Sequence, residues 1–265
     1  MTSRSDNAMK QTWLITGAAS GIGRELALTL ARRGERLVLW DRDAVGLSHV
    51  AALVGPHALR TEVVDVVQFD QVRDAARAAA DLPFPVTRAI HCAGILRVGP
   101  ALKMASVDYR AMMEVNYLGT VHVARALVPV LRDAARPRQA SKLALVASVA
   151  AFRGMPELAG YCASKSAVLS FAQALRDELA GEPVEVRVIC PPPVDTPMVQ
   201  SLPKLPPIYR VSPPENVEKI ARALLKELEG RDFVIMLGKA TRLLWHAQRI
   251  APASVDFVLS RVLGK

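Results

Sequence analysis

The chain predicts an α/β fold, a doubly wound parallel sheet of about seven strands with helices on both faces. Three observations carry that expectation. Short apolar runs alternate with helical patterns along the chain, the signature of βαβ units. Hydrophobic residues make up 51% of the 265 positions, enough for a sheet covered on both sides. A glycine turn, Thr16-Gly17-Ala18-Ala19-Ser20-Gly21-Ile22-Gly23, joins the first apolar run to the first helical pattern.

Taken in order, residues 12–16 form the first strand and 21–33 the first helix. Residues 36–40 give the second strand, closed by Asp41. Residues 59–64 form the third, ending at Asp65, and 88–92 the fourth. A long helix covers 107–135, and 143–146 is the fifth strand. A helix over 161–180 follows, then a sixth strand at 184–190 and a seventh, at the edge, over 232–237. One domain therefore spans 10–238, preceded by a polar leader, 1–9. Within it, residues 191–214 carry nine of the chain's 18 prolines. Proline resists helix and central strand alike, so this stretch reads as a lid over the carboxyl edge of the sheet, where doubly wound folds bind ligands.

Composition narrows the function classes. No apolar run approaches the roughly 18 residues that span a bilayer, and no signal segment is legible at the start. Three cysteines, Cys92, Cys162 and Cys190, lack metal-ligand spacing and suit thiols in a reducing, cytoplasmic setting. No metal is expected. The net charge of +9 could draw nucleic acid or anionic surfaces. The arginines are scattered without an aromatic-basic cluster, so no nucleic-acid partner is expected.

Chemistry concentrates in the segment Tyr161-Cys162-Ala163-Ser164-Lys165. Residues four apart on a helix share a face, which places an ammonium beneath a phenol. Such a lysine stabilises the phenolate and suits the tyrosine to acid/base work on an alcohol or carbonyl oxygen. Ser148, thirteen residues earlier and after an apolar run, could bond the same oxygen, or could simply end a strand. Asp41 lies eighteen residues after Gly23. A carboxylate there can accept bonds from ribose hydroxyls and repel a 2′-phosphate, which favours NAD over NADP. The neighbouring Arg42 complicates this, because a guanidinium can receive a phosphate.

The ordered set of glycine turn, acidic residue after the second strand, Asn116, Ser148, Tyr161 and Lys165 resembles the short-chain dehydrogenase/reductase family. The resemblance runs from about residue 10 to 198. It implies a Rossmann-type fold and hydride exchange between nicotinamide and an alcohol or ketone. It assigns Gly17, Ser20, Gly21, Ile22 and Gly23 to the pyrophosphate, and Asp65 with Val66 to the adenine pocket. Lys165 would also bind the nicotinamide ribose, and Asn116 would hold a water linking Lys165 to solvent. Where relatives carry Asn-Asn-Ala-Gly, this chain reads His91-Cys92-Ala93-Gly94. Ala93 and Gly94 keep the close approach to the cofactor, while Cys92 and His91 replace two amides. After the sixth strand, Pro191-Pro192-Pro193-Val194-Asp195-Thr196 keeps Val194 for the carboxamide and Thr196 for cofactor contact. Pro192 stands where relatives have glycine, and it forbids positive φ.

Leu37–Asp41 and Tyr161–Lys165 look most like the hydroxysteroid and retinol dehydrogenase branch. That likeness implies a lipophilic secondary alcohol or ketone, in a pocket walled by Leu96, Phe152, Met155, Met198 and the proline segment. A 3-oxoacyl reductase, or a dinucleotide-binding sensor without turnover, are the alternatives. The family also implies a homodimer or homotetramer through helices 107–135 and 161–180. Beyond Gly238, residues 239–265 read as two short amphipathic helices with basic residues, broken by Pro252. Such helices suit an anionic membrane surface, and equally suit packing on the core or a partner subunit.

Overall fold

The computed structural model describes residues 10–137 and 139–263. The leader 1–9 and Lys265 lie outside the described residues. Seven parallel strands form one sheet: β1 Thr12–Thr16, β2 Arg36–Asp41, β3 Ala58–Val63, β4 Val86–His91, β5 Ser141–Val146, β6 Val184–Cys190 and β7 Val234–Met236. Their order is β3-β2-β1-β4-β5-β6-β7, so the winding reverses between β1 and β4. That reversal opens a crevice at the strands' carboxyl ends.

Both faces of the sheet are covered, which is why Trp13–Ile15 of β1 and Leu143–Val146 of β5 read as apolar runs. On one face Leu14, Val38, Trp40, Leu143 and Leu145 belong to a core shared with α3 (Phe69–Ala80), α5 (Gly119–Asp133) and α6 (Ala159–Glu178). On the other, Trp13, Ile15, Leu37, Leu39 and Val146 meet α1 (Gly21–Arg32), α2 (Ala44–Val54) and α7 (Val217–Glu227). Local signals start these helices. Asp43 caps α2 through Gly46 N at 3.1 Å, and Asn216 caps α7 through Lys219 N at 3.0 Å. In α7 the buried Ile220, Ala221, Leu224 and Leu225 form one stripe, the pattern of a helix with one face on a core.

Several expected bounds shift. Helices α2, α3 and α7 were not named from the sequence. The long helix over 107–135 is α4 (Ser106–Met112), a π turn over Met113–Leu118, and then α5. Asp65 lies two residues past β3, and Cys92 one past β4. The lid holds two four-residue helices, Pro197–Gln200 and Ile208–Val211. A short parallel pairing of Val194–Asp195 with Glu215–Asn216 closes it. The tail beyond Gly238 forms α8 (Lys239–Ile250) and α9 (Pro252–Leu263).

Fifth-strand Ser141 and Lys142 were passed over because polar residues read as loop, yet both are buried. Lys142 Nζ donates to Leu228 O at 2.9 Å, and Arg187 on β6 donates to Gly230 O at 3.0 Å. Lys142 thus meets the carbonyl that caps α7, where the helix dipole is negative, and Arg187 holds the turn just beyond it. Replacing Lys142 with methionine should cost about 1–3 kcal/mol by stranding a buried carbonyl. Thermal unfolding should register this as a drop of several degrees, and an unchanged Tm would refute it.

Candidate active site

One cavity of about 370 Å³ occupies the crevice. The glycine turn, Asp41, Arg42, Asp65 and Val66 line it, as do Cys92, Ala93, Gly94, Val194 and Thr196. Ser148, Tyr161 and Lys165 line it too. Every expected cofactor-contacting residue therefore faces one space, together with three of the four expected catalytic residues.

The turn is built for a negatively charged guest. Gly17 runs at φ +66° and Gly21 at φ +52°, conformations in which β-carbons are disfavoured. Ser20 caps α1 without a side-chain bond, so the first amides of α1 are not consumed by a side-chain cap there. A helix N-terminus with unspent amides favours phosphate. Asp41 is fixed as well. Its Oδ2 accepts from Ala19 N at 2.9 Å and its Oδ1 from Asp43 N at 2.9 Å. Asp65 Oδ1 accepts from Val67 N at 3.1 Å. These donors and acceptors fit a dinucleotide along the crevice, with its anionic centre on α1 and a ribose at Asp41.

At the other end, Ser148 follows β5 and Tyr161 and Lys165 share one face of α6. Lys165 Nζ donates to Val146 O at 2.9 Å and lies 5.9 Å from the Tyr161 ring centroid. Burial lowers its ammonium to about 8, with nearby Cys92 and Cys190 opposing the drop. Burial likewise drives the Tyr161 phenol well above its usual range, and a hydrogen bond with Ser148 pulls in the opposite direction. Burial, not the lysine, therefore dominates the tyrosine's acidity in this arrangement. Ser148 Oγ also accepts from Ala150 N at 3.1 Å, which fixes its rotamer toward the cavity.

Asn116 stands behind the wall. Fully buried in the π turn, its amide donates to Ile95 O and Ser164 Oγ, both at 2.9 Å, and accepts from Ile95 N at 2.7 Å. Ser164 Oγ in turn donates to Tyr161 O at 2.8 Å. The side chain thus ties the loop after β4 to the helix bearing Tyr161. Both amide hydrogens are spent on protein, while Oδ1, which accepts one bond here, keeps a second lone pair. A β-carbon on Gly94 would lie 3.1 Å from Asn116 Oδ1 and 3.4 Å from Lys165 Nζ, so the glycine admits both.

His91 hydrogen-bonds through Nδ1 to Thr16 Oγ1 at 2.7 Å, and the same hydroxyl accepts from Ala93 N at 3.2 Å. Burial, aided by Lys165, lowers the imidazole to about 3, so it is neutral. It fixes the strand-end loop and does not line the cavity. The Cys92 thiol is pushed up to about 12 by burial, with Lys165 opposing the rise, which leaves it protonated. All three cysteines are free.

The apolar end of the cavity is walled by Leu96, Met155, Leu158, Met198 and Ile208, with Tyr209 beside them. Phe152, expected in this wall, is turned away. Its ring packs on Trp245 of α8 at 4.4 Å between centroids. Ile208 and Tyr209 were missed, because a four-residue helix among prolines leaves no periodic signal. Among the described residues no cluster could hold a metal, and no helix is long and apolar enough to cross a membrane.

Comparison with known proteins agrees with this geometry. Residues 11–205 match the short chain dehydrogenase family. A 1-deoxy-11-beta-hydroxypentalenate dehydrogenase of Streptomyces avermitilis is 39% identical over 195 residues, covering 72% of this chain and 71% of that protein. Human 17-beta-hydroxysteroid dehydrogenase 13 is 27% identical over 257 residues, covering 94% and 82%. The crystal structure of a short chain dehydrogenase from Burkholderia cenocepacia, in complex with NADP, superposes with a TM-score of 0.81. Its identity is 29%, over 94% of this chain and 97% of that one.

Proposed function

Because this chain belongs to the short-chain dehydrogenase family, and is an NAD(P)-dependent oxidoreductase of alcohols and ketones, we propose that it acts on a lipophilic secondary alcohol or ketone with NAD. The observation that carries the substrate class is the wall of Leu96, Met155, Leu158, Met198 and Ile208 facing Tyr161 and Ser148. The names of two relatives, dehydrogenases of a hydroxypentalenate and a hydroxysteroid, support the same class.

The dinucleotide, when bound, accepts or supplies the hydride. Everything else falls to this chain. The amides of the glycine turn and α1 hold the pyrophosphate. Asp65 and Val66 border the adenine, and Val194 and Thr196 border the nicotinamide end. Tyr161 Oη moves the proton, taking it from the alcohol in oxidation and giving it to the carbonyl in reduction. Ser148 Oγ orients the substrate oxygen. Lys165 supports the phenolate and reaches the nicotinamide ribose. Asn116 acts as a positioning residue, through Ile95 and Ser164.

Turnover followed by nicotinamide absorbance, on secondary alcohols and ketones of graded chain length and ring content, tests this reading. Rates that rise with apolar bulk would support it. Rates that fall with bulk, or are indifferent to it, would refute the substrate class.

The preference for NAD rests on Asp41, whose two oxygens are held by backbone amides beside the cavity. A carboxylate so fixed repels a 2′-phosphate. Exchanging Asp41 for serine should remove one or two charge-assisted bonds, about 1.5–3 kcal/mol each. The expected result is a shift of at least roughly tenfold toward NADP in relative kcat/KM. Arg42, adjacent and exposed, would then meet the phosphate. An unchanged ratio would place cofactor choice elsewhere.

The same reading extends to a homodimer or homotetramer paired through α5 and α6, which sedimentation velocity can test. Three free thiols support a reducing, cytoplasmic setting.

A further inference from the structure

Helices α8 and α9 are held inward at several points, three of which bear on the cavity. Trp245 of α8 packs on Phe152 with the rings tilted by 50°. On α9, Asp256 pairs with Arg153 at 3.2 Å. Leu259 packs on the cluster of Leu96, Met155, Leu158 and Ile208, which walls the apolar end of the cavity. Two adjacent residues, Phe152 and Arg153, thus anchor both helices beside the substrate end.

Their outer faces are unlike an ordinary surface. On α8 the exposed residues are Arg242, Leu243, His246, Arg249 and Ile250, spaced so that they share one face. Leu243 is 71% exposed and Ile250 82%. On α9 Phe257 and Val258 are 57% and 55% exposed, with Arg261 one turn on from Phe257. The guanidinium of Arg261 lies 4.2 Å from the Phe257 ring centroid, so cation and apolar ring form one surface. Asp256 is the sole acidic residue in either helix, and its partner is Arg153. Asp256 is half exposed but paired with Arg153, so the unpaired outward charges of the two helices, Arg242, Arg249 and Arg261, are positive.

We propose that the outer faces of α8 and α9 are a docking surface for an anionic lipid bilayer. Exposed apolar side chains enter the boundary of the acyl layer while flanking arginines meet the headgroups. Charge decides between lipid and a second copy of this chain. A twofold pairing sets a patch against itself, and here it would oppose arginine to arginine with no free carboxylate between them. Anionic headgroups neutralise the same arginines. Docking in this way places a membrane beside the apolar wall of the cavity, through Leu259. The proposal stands whether or not the substrate is lipophilic.

The test is co-sedimentation of the full chain with phosphatidylcholine vesicles, with and without phosphatidylserine. We expect binding that requires phosphatidylserine and weakens as salt rises. R242E/R249E/R261E should lose binding by more than tenfold, since each arginine contributes roughly fivefold. L243S/I250S/F257S should lose it as well. Circular dichroism and NADH binding should be unchanged in both variants, which separates docking from folding. No phosphatidylserine-dependent sedimentation of the parent chain would overturn the proposal, as would binding undiminished in either variant. A drop in oligomeric size of L243S/I250S/F257S, with no lipid binding by the parent, would assign the face to a second copy.

Discussion

Replacing Tyr161 with phenylalanine should lower turnover by roughly 10²–10⁴-fold, the usual contribution of a positioned acid/base, while dinucleotide binding stays near that of the parent. The phenol lines the cavity beside Ser148 and faces its apolar wall. Removing it deletes the proton path and little volume. The pH dependence follows from the direction of its shift. Burial holds the phenol above its usual range, so at neutral pH it is protonated and ready to donate to a carbonyl. Ketone reduction should therefore run at neutral pH and fall as the pH rises. Oxidation needs the phenolate and should climb toward alkaline pH. Lys165, lowered to about 8, carries charge below that value and loses it above, so its support for the phenolate fades as oxidation climbs. In Tyr161→Phe the rising limb of oxidation should vanish. Near-parental turnover, or a persisting limb, would move the acid/base role to another group.

Strand β1 and the Leu143–Val146 part of β5 were legible because burial on both faces leaves an uninterrupted apolar run, whereas β6 was legible from valines alternating with Glu185 and Arg187. The glycine turn was legible because backbone geometry there excludes other residues. The ends of strands were less so: Ser141 and Lys142 look like loop until the carbonyls of Leu228 supply the lysine's partner from 86 residues away. The π turn at Asn116 has no sequence period of its own. It is specified by the bonds of one amide to Ile95 and Ser164, contacts that exist only once the loop after β4 meets α6. Phe152 was expected in the wall of a lipophilic pocket. Trp245, almost a hundred residues later, draws it outward. Local pattern thus picked out Ser148, Tyr161 and Lys165, which line one cavity. The shape of the substrate end depends on Ile208, Tyr209 and the tail, whose contacts are long-range.

Gly23→Ala should weaken dinucleotide binding by about 10²–10⁴-fold, the equivalent of losing two charge-assisted bonds together. A β-carbon at Gly23 would overlap the carbonyl oxygen of Gly17 and lie 3.3 Å from Ala18 Cα. Both neighbours are backbone of the turn, so no side chain can swing aside; the turn itself must open. It cannot open freely, because Gly17 is pressed on the next segment, where a β-carbon would come within 2.8 Å of Ala93 N. That segment continues to Gly94, beside Lys165. One methyl group would therefore displace the amides proposed to meet the pyrophosphate and also disturb the loop proposed to seat the nicotinamide end. Gly154 offers the control, since a β-carbon there meets nothing within 4 Å. Calorimetric titration with NADH should show binding lost in Gly23→Ala and kept in Gly154→Ala, with thermal unfolding run on both to check folding. Parental affinity in Gly23→Ala would mean that the turn does not carry the pyrophosphate, and the cofactor would have to lie elsewhere in the crevice.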